Sequence, residues 1–180
     1  MKINSEKNIS IGKMELIKIS NSAEKRKWLE KFCKSYTGGM IQPSIEIYQD
    51  NICKFFVARC GGKDMGYIRL ADYTELYQKY TDLPFWSACE AYVKPCYRNE
   101  GVLRFMLKEC AHNHHLAAIK IETERLNKYR IYYQSLGFTY AYTVQQGYLA
   151  LAFQTAYKNA AIKRGEDWVA SNDEQYKLAA

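Results

Sequence analysis

The stretch VKPCYRNEGVLRFML, residues 93–107, constrains the fold of this chain more than any other. It runs an apolar strand end into a proline, then through a basic, glycine-bearing turn into an amphipathic helix. Pro95 has no N–H to give to a sheet ladder, so the strand that carries Glu90 ends at or before it. Gly101 then lets the backbone turn tightly into a helix beginning at Val102. The first N–H groups of that helix have no partners within it. Together with the guanidinium of Arg98 they make a concave site suited to a phosphate or pyrophosphate. Glycine-bearing turns into helices are common, so the turn alone reads more readily as an ordinary connection.

The rest of the chain supplies a sheet for that turn to sit on. At 180 residues, 48% of them hydrophobic, the sequence supports one well-filled core. Residues 1–12 read as a flexible arm, 13–154 as one globular domain, and 155–180 as a charged, partly helical extension. Within the domain, residues 14–20 alternate as a half-buried strand. A helix over 22–36 follows, capped at Ser22, with Trp28, Leu29 and Phe32 on one face. A short helix is expected over 44–51. Residues 53–70 read as a hairpin turning at Gly61, Gly62, Lys63 and Asp64. An aromatic connection leads to a strand over 87–93, a helix over 102–116, a strand over 118–124 and a helix over 128–136 stopped by Gly137. Strands over 138–145 and 148–154 close the domain. The order predicts an α/β fold, a mixed sheet with helices on both faces.

Composition narrows the function classes. No run approaches the roughly 20 apolar residues of a membrane span, and no secretory pattern opens the chain, so a cytoplasmic location is expected. Cys33, Cys53, Cys60, Cys89, Cys96 and Cys110 form no CxxC pair and mostly sit in apolar runs, which argues against a disulfide scaffold or zinc site. The net charge of +7 favours anionic partners. His112 and His115, a helical turn apart beside His114, have no carboxylate nearby in sequence and read as solvated residues, so no metal is expected. The basic helix around Lys25, Arg26 and Lys27 reads as a solvated face rather than a nucleic-acid footprint. Tyr73, Tyr77, Tyr80, Phe85 and Trp86 either line an acceptor pocket or cover the sheet.

A second stretch, YYQSLGF at residues 132–138, gives the turn its context. Taken together and in this order, the two stretches resemble the GNAT superfamily of acyl-CoA N-acyltransferases. The family's valine, proline, arginine and two small residues fall on Val93, Pro95, Arg98, Gly101 and Leu103. Its tyrosine, leucine, glycine and phenylalanine fall on Tyr133, Leu136, Gly137 and Phe138. Asn127 lies near the asparagine that often opens the same helix, one residue closer to the tyrosine than is usual. Leu103 departs from the pattern, which wants a small residue where the helix start meets the cofactor, and the leucine is expected to crowd that approach.

The resemblance implies a GNAT fold with a splayed central sheet, acetyl-CoA as cosubstrate, and direct acetyl transfer to a primary amine. It implies that the pantetheine lies along the strand at Ala91, Tyr92 and Val93. The pyrophosphate lies on Arg98, Asn99, Glu100, Gly101, Val102 and Leu103, and Asn127 and Tyr133 complete the cofactor site. Tyr133 is then the acid that protonates the departing thiolate, since a phenol can donate to a thiolate held near it. Glu90, in the splayed strand, is the candidate base, with Glu122, Glu124 or an ordered water as alternatives. The acceptor is open: a small amine, a macromolecule such as an aminoacyl-tRNA or protein amine reached through the basic surface, or none at all in a binding module that keeps only the fold. A monomer or homodimer is expected.

Overall fold

The computed structural model describes residues 13–37, 52–145, 148–153, 157–160, 162–164 and 166, with the side chains of 33, 35–37, 122–127 and 139–153 left aside. The arm over 1–12 and the short helix expected over 44–51 lie outside the described residues. The elements run β1 (Glu15–Lys18), α1 (Ser22–Thr37), β2 (Cys53–Cys60), β3 (Lys63–Asp72), α2 (Thr74–Tyr77), β4 (Trp86–Val93), α3 (Val102–Asn113), β5 (Leu116–Glu122), α4 (Thr123–Ser135), β6 (Phe138–Gln145) and β7 (Tyr148–Phe153). They build one seven-stranded sheet in the order β1-β2-β3-β4-β5-β7-β6. β1 to β4 are antiparallel neighbours, β4 and β5 run parallel, and β7 pairs antiparallel with both β5 and β6. The α/β class and mixed sheet expected from the sequence are present.

Alternation along the strands divides the core between two faces. On one face Phe56, Ala58, Ile68 and Leu70 meet Val102, Met106, Leu107 and Cys110 of α3, with Leu136 and Phe138 beyond the end of α4. On the other, Phe55, Val57 and Tyr67 meet Trp28 and Leu29 of α1. β2 is therefore covered on both sides, which is why it reads as a continuous apolar run. A third cluster joins Tyr77 and Phe85 to Ala117, Ala118, Tyr157 and Ala160. There the rings of Tyr77 and Phe85 stack 3.6 Å apart.

Several boundaries differ from those expected. Asn21, not Ser22, caps α1: its Oδ1 accepts from the N–H groups of Ala23 and Glu24. Lys25 is buried at 5% exposure rather than solvated, while Arg26 and Lys27 are exposed as expected. The hairpin turns on Gly61 and Gly62 alone, because Lys63 and Asp64 already pair with Cys60 and Arg59. The helix expected over 102–116 ends at Asn113, where His115 takes φ 56° and sends Leu116 into β5. His112 and His115 are therefore not neighbours on one helical turn. Leu116 pairs with Trp86 and is fully buried, a tertiary gain that outweighs one more turn of helix. β5 accordingly spans Leu116–Glu122 rather than 118–124, and α4 begins at Thr123 with no intervening loop. No glycine or proline marks that junction, so local pattern could not place it.

Gly66 shows how closely β3 and β4 approach. A Cβ added there would lie 2.5 Å from the carbonyl oxygen of Tyr92, a backbone atom that cannot swing aside. We expect Gly66→Ala to cost roughly 1–3 kcal/mol, as overpacking does. In a chain of this size that lowers the melting temperature by roughly 2–12 °C. Thermal unfolding followed by circular dichroism measures it, and an unchanged midpoint would contradict the close approach.

Candidate active site

The two parallel strands part company along their length. β4 and β5 pair at Trp86↔Leu116, Ser87↔Ala118 and Ala88↔Ile119, and no further. Beyond that point β4 continues to Val93 bound to β3, and β5 continues to Glu122 bound to β7. Half of the backbone groups over 89–93 thus point away from β3 without a β5 partner. Where the separation begins, β4 is irregular: Leu70 pairs with Ala88 and Arg69 with Glu90, so Cys89 is the extra residue of a bulge. One inserted residue exchanges the faces. Before the bulge Trp86 and Ala88 point into the α3 side of the core; after it Val93 points there and Tyr92 points to α1.

The opening lies at the carboxyl ends of both parallel strands, the customary ligand position in a sheet whose connections diverge. β4 leads into a single 3₁₀ turn at Pro95–Tyr97, and this turn into α3. Arg98 folds back so that its Nε donates to the carbonyl oxygen of Val93 at 3.3 Å. Asn99 takes φ 68° and Gly101 φ 77°, the left-handed conformations that turn the chain onto the helix axis. A Cβ at Gly101 would meet nothing within 4 Å, so the space before the helix start is open. Arg98, Asn99 and Glu100 are all exposed around it. Val102 is buried and anchors the turn, and the half-buried Leu103 packs its side chain against the main core. The leucine is thus engaged with the core on its inner side.

On the α1 side of the bulge stands a polar cluster that the sequence reading named only in part. Arg69 Nη2 donates to Glu90 Oε1 at 3.1 Å, with side chains 12% and 15% exposed. Arg69 Nη1 also reaches Cys53 Sγ at 3.4 Å. Burial works against the guanidinium charge, yet Glu90 and Cys89 outweigh it and hold Arg69 above its ordinary range. Burial pushes the Cys89 thiol up, against the pull of Arg69 and of a hydrogen bond with Tyr73. The Tyr73 phenol is pushed up to about 12, mainly by burial and next by Cys89. These groups keep their protons at neutral pH, so the cluster presents a carboxylate, a guanidinium, a phenol and a thiol. In the aromatic connection, Tyr73 and Tyr80 pack against Tyr77 and Phe85, which cover the sheet. Trp86 faces the opposite way, with Lys54 Nζ 3.8 Å from its ring centroid.

Tyr133 lies on the other face. It is half-buried on α4 and packs against the same core as Val93, Tyr97 and Leu103. Its ring lies 5.5 Å from that of Tyr132, at 70°, and burial raises the Tyr132 phenol. The side chains of Asn127, Glu122 and Glu124 are outside the described residues. Ala91 is exposed, and Tyr92 and Val93 are half-buried along the free edge of β4. The structure therefore brings residues 91–93 and 98–103 to one opening, with Glu90 and Tyr133 on opposite faces of the sheet. Arg69 went unnoticed in the sequence, although a lone cation inside the apolar strand MGYIRL was a readable signal. Among the described residues no group of three or more His, Cys, Asp or Glu is placed to hold a metal ion, and no helix is long and apolar enough to cross a membrane.

Comparison with known proteins agrees with this geometry. None of the curated proteins matches the chain. Among solved structures, an acetyltransferase from Thermus thermophilus is similar at 14% identity and TM-score 0.57, over 78% of this chain and 96% of that one. The aminoglycoside N-acetyltransferase AAC(6')-Iy in complex with CoA is similar at 18% identity and TM-score 0.55, over 74% and 92%. The PaiA N-acetyltransferase from Thermoplasma acidophilum in complex with coenzyme A is similar at 14% identity and TM-score 0.53, over 79% and 99%. At such identities the likeness is one of fold. The model of the acetyltransferase (GNAT) domain matches residues 51–140, half of the chain and the part that holds the bulge, the opening and the turn into α3. The chain belongs to the GNAT acetyltransferase family.

Proposed function

We propose that the protein transfers an acetyl group from acetyl-CoA to a primary amine by direct attack on the thioester. The observation that carries this reading is the loss of pairing between β4 and β5 after Ala88 and Ile119. It leaves a row of backbone donors and acceptors on residues 89–93, and an amide-rich pantetheine is the kind of chain that satisfies such an edge. At the end of the row the N–H groups opening α3, with Arg98, suit the pyrophosphate. The residues present thus fit acetyl-CoA, which brings an activated acyl group on a thiolate leaving group.

The roles follow from the two faces of the sheet. The amine nitrogen forms a bond to the thioester carbon as the carbon–sulfur bond breaks. Glu90, on the α1 side, takes the proton that the amine loses. Tyr133, on the α3 and α4 side, gives a proton to the thiolate. Backbone N–H groups of residues 89–93 polarise the carbonyl from fixed positions, and their dipoles need no reorganisation as charge develops. A base and an acid on separate faces divide the two proton transfers that acyl transfer requires, one at the attacking nitrogen and one at the departing sulfur.

Three measurements test this reading. CoA at about 100 times its Kd should raise the melting temperature by roughly 5–11 °C. It should also slow alkylation of Cys96, an exposed free thiol in the turn at Pro95–Tyr97. Neither effect at millimolar CoA would remove the cofactor assignment. Tyr133→Phe should lower kcat about 10- to 1000-fold while acetyl-CoA affinity stays nearly constant, because only a proton donor is lost. An unaltered rate of thiol release would return Tyr133 to a packing role. Leu103→Ala should cost roughly 1–2 kcal/mol, below the about 2–5 kcal/mol of a fully buried leucine, with no gain in CoA affinity. Tighter binding in that variant, read by calorimetry, would mean that the leucine crowds the turn after all.

A further inference from the structure

The ion pair beneath the opening has a feature that packing alone does not account for. Arg69 and Glu90 are direct cross-strand partners, and their contact falls at the residue where β4 resumes after its bulge. Both side chains are largely buried. Desolvating two charges is costly, and a well-packed apolar pair of similar volume commonly serves a sheet as well or better. Stability is therefore a poor reason to place this pair here. The guanidinium is also held at two points, by Glu90 Oε1 through Nη2 and by Cys53 Sγ through Nη1, so it has little freedom to rotate. Beside the pair lies Cys89, the bulge residue itself, whose Sγ donates to the carbonyl oxygen of Ser87 at 3.5 Å. β2, β3 and β4 each contribute a group to this one place.

We infer that Arg69 is a positioning residue of the reaction centre: anchored on β2 and β3, it fixes the Glu90 carboxylate at the bulge, on the side from which the amine approaches. The inference rests on the proposed role of Glu90 as base. A glutamate on a bulged, half-released strand would otherwise sample several rotamers, and proton transfer needs the carboxylate within hydrogen-bond reach of the attacking nitrogen. A planar guanidinium with fixed N–H directions restricts the carboxylate in a way that an ammonium does less well.

A double-mutant cycle tests it on the full chain, with acetyl-CoA and the amine that releases thiol fastest from a pool of small amines and peptides. Glu90→Gln should lower kcat about 100-fold or more. Arg69→Met should lower kcat about 10- to 100-fold, the loss usual when the support of a reacting group is removed, and leave KM for acetyl-CoA within about twofold. Arg69→Lys should recover part of the loss. If Arg69→Met fails to fold because it strands a buried carboxylate, the double variant still decides, since it buries neither charge. Arg69→Met combined with Glu90→Gln should match Glu90→Gln alone within about twofold, because an effect transmitted through one residue is not additive. A double variant slower than Glu90→Gln by the full Arg69→Met factor would make Arg69 a general support of the sheet and overturn the inference. So would an Arg69→Met protein with normal kcat beside an impaired Glu90→Gln. A fully active Glu90→Gln would instead remove Glu90 as base, and with it that step of the proposed function.

Discussion

Ala88 and Ile119 are the last residues at which the two halves of the sheet hydrogen-bond to each other. Everything distinctive about the molecule follows from what happens after that pair. To its amino side, residues 86–88 join a four-strand antiparallel half to a three-strand half and make one continuous sheet. To its carboxyl side, each strand keeps only its outer neighbour, and a wedge opens between two rows of backbone groups. A continuous sheet would have satisfied those groups internally and left nothing to bind. A complete separation would have given two unstable halves with no shared core. The parallel pairing is short enough to open the wedge and long enough to bury Trp86, Leu116 and Ile119 across it.

The bulge at Cys89 gives the wedge its chemistry. Without the extra residue, β4 would continue its alternation and turn Glu90 to the side of Ala88, into the apolar core under α3. With it, Glu90 and Tyr92 face α1, and Val93 rejoins the core under α3. A single inserted residue therefore decides whether the strand carries a carboxylate to the α1 side or buries it among methionine and leucine. β5 shows a matching irregularity, since Trp86 pairs with Leu116 and Ser87 with Ala118, skipping Ala117. Both parallel strands thus change phase near the point where they part, a coordinated distortion rather than a local fault.

Much of this was legible in the sequence, for reasons that can be named. Pro95 and Gly101 report backbone constraints that no tertiary contact can override, so the end of β4 and the start of α3 were readable to within a residue. The apolar run of β2 reported burial. The junction between β5 and α4 was not readable, because Thr123 and Glu124 suit either element and only the β7 pairing decides where β5 stops. Leu116 looked helical by proximity to α3 and proved to be a strand residue through its long-range partner Trp86. The site divides in the same way. The turn at 98–103 is encoded locally, whereas the Arg69–Glu90 contact joins residues 21 positions apart and depends on a register set by the bulge. A sequence reading sees a glutamate and an arginine in separate strands, with nothing to say that they meet.

The free edge also explains why charge is buried at this place in the sheet. An unpaired run of strand within a protein is a template for any other extended segment, and proteins guard such edges with bulges and inward-facing charges. β4 has both guards at the point where β5 leaves it: the extra residue Cys89 and, next to it, the Glu90–Arg69 pair. An intruding strand would have to lie against a kinked backbone and beside a buried ion pair. A ligand with amide groups of its own and a thioester at its tip meets no such penalty. It needs only a few backbone contacts. The same distortion that keeps other strands out of the wedge is the one that turns Glu90 toward the α1 side beside it.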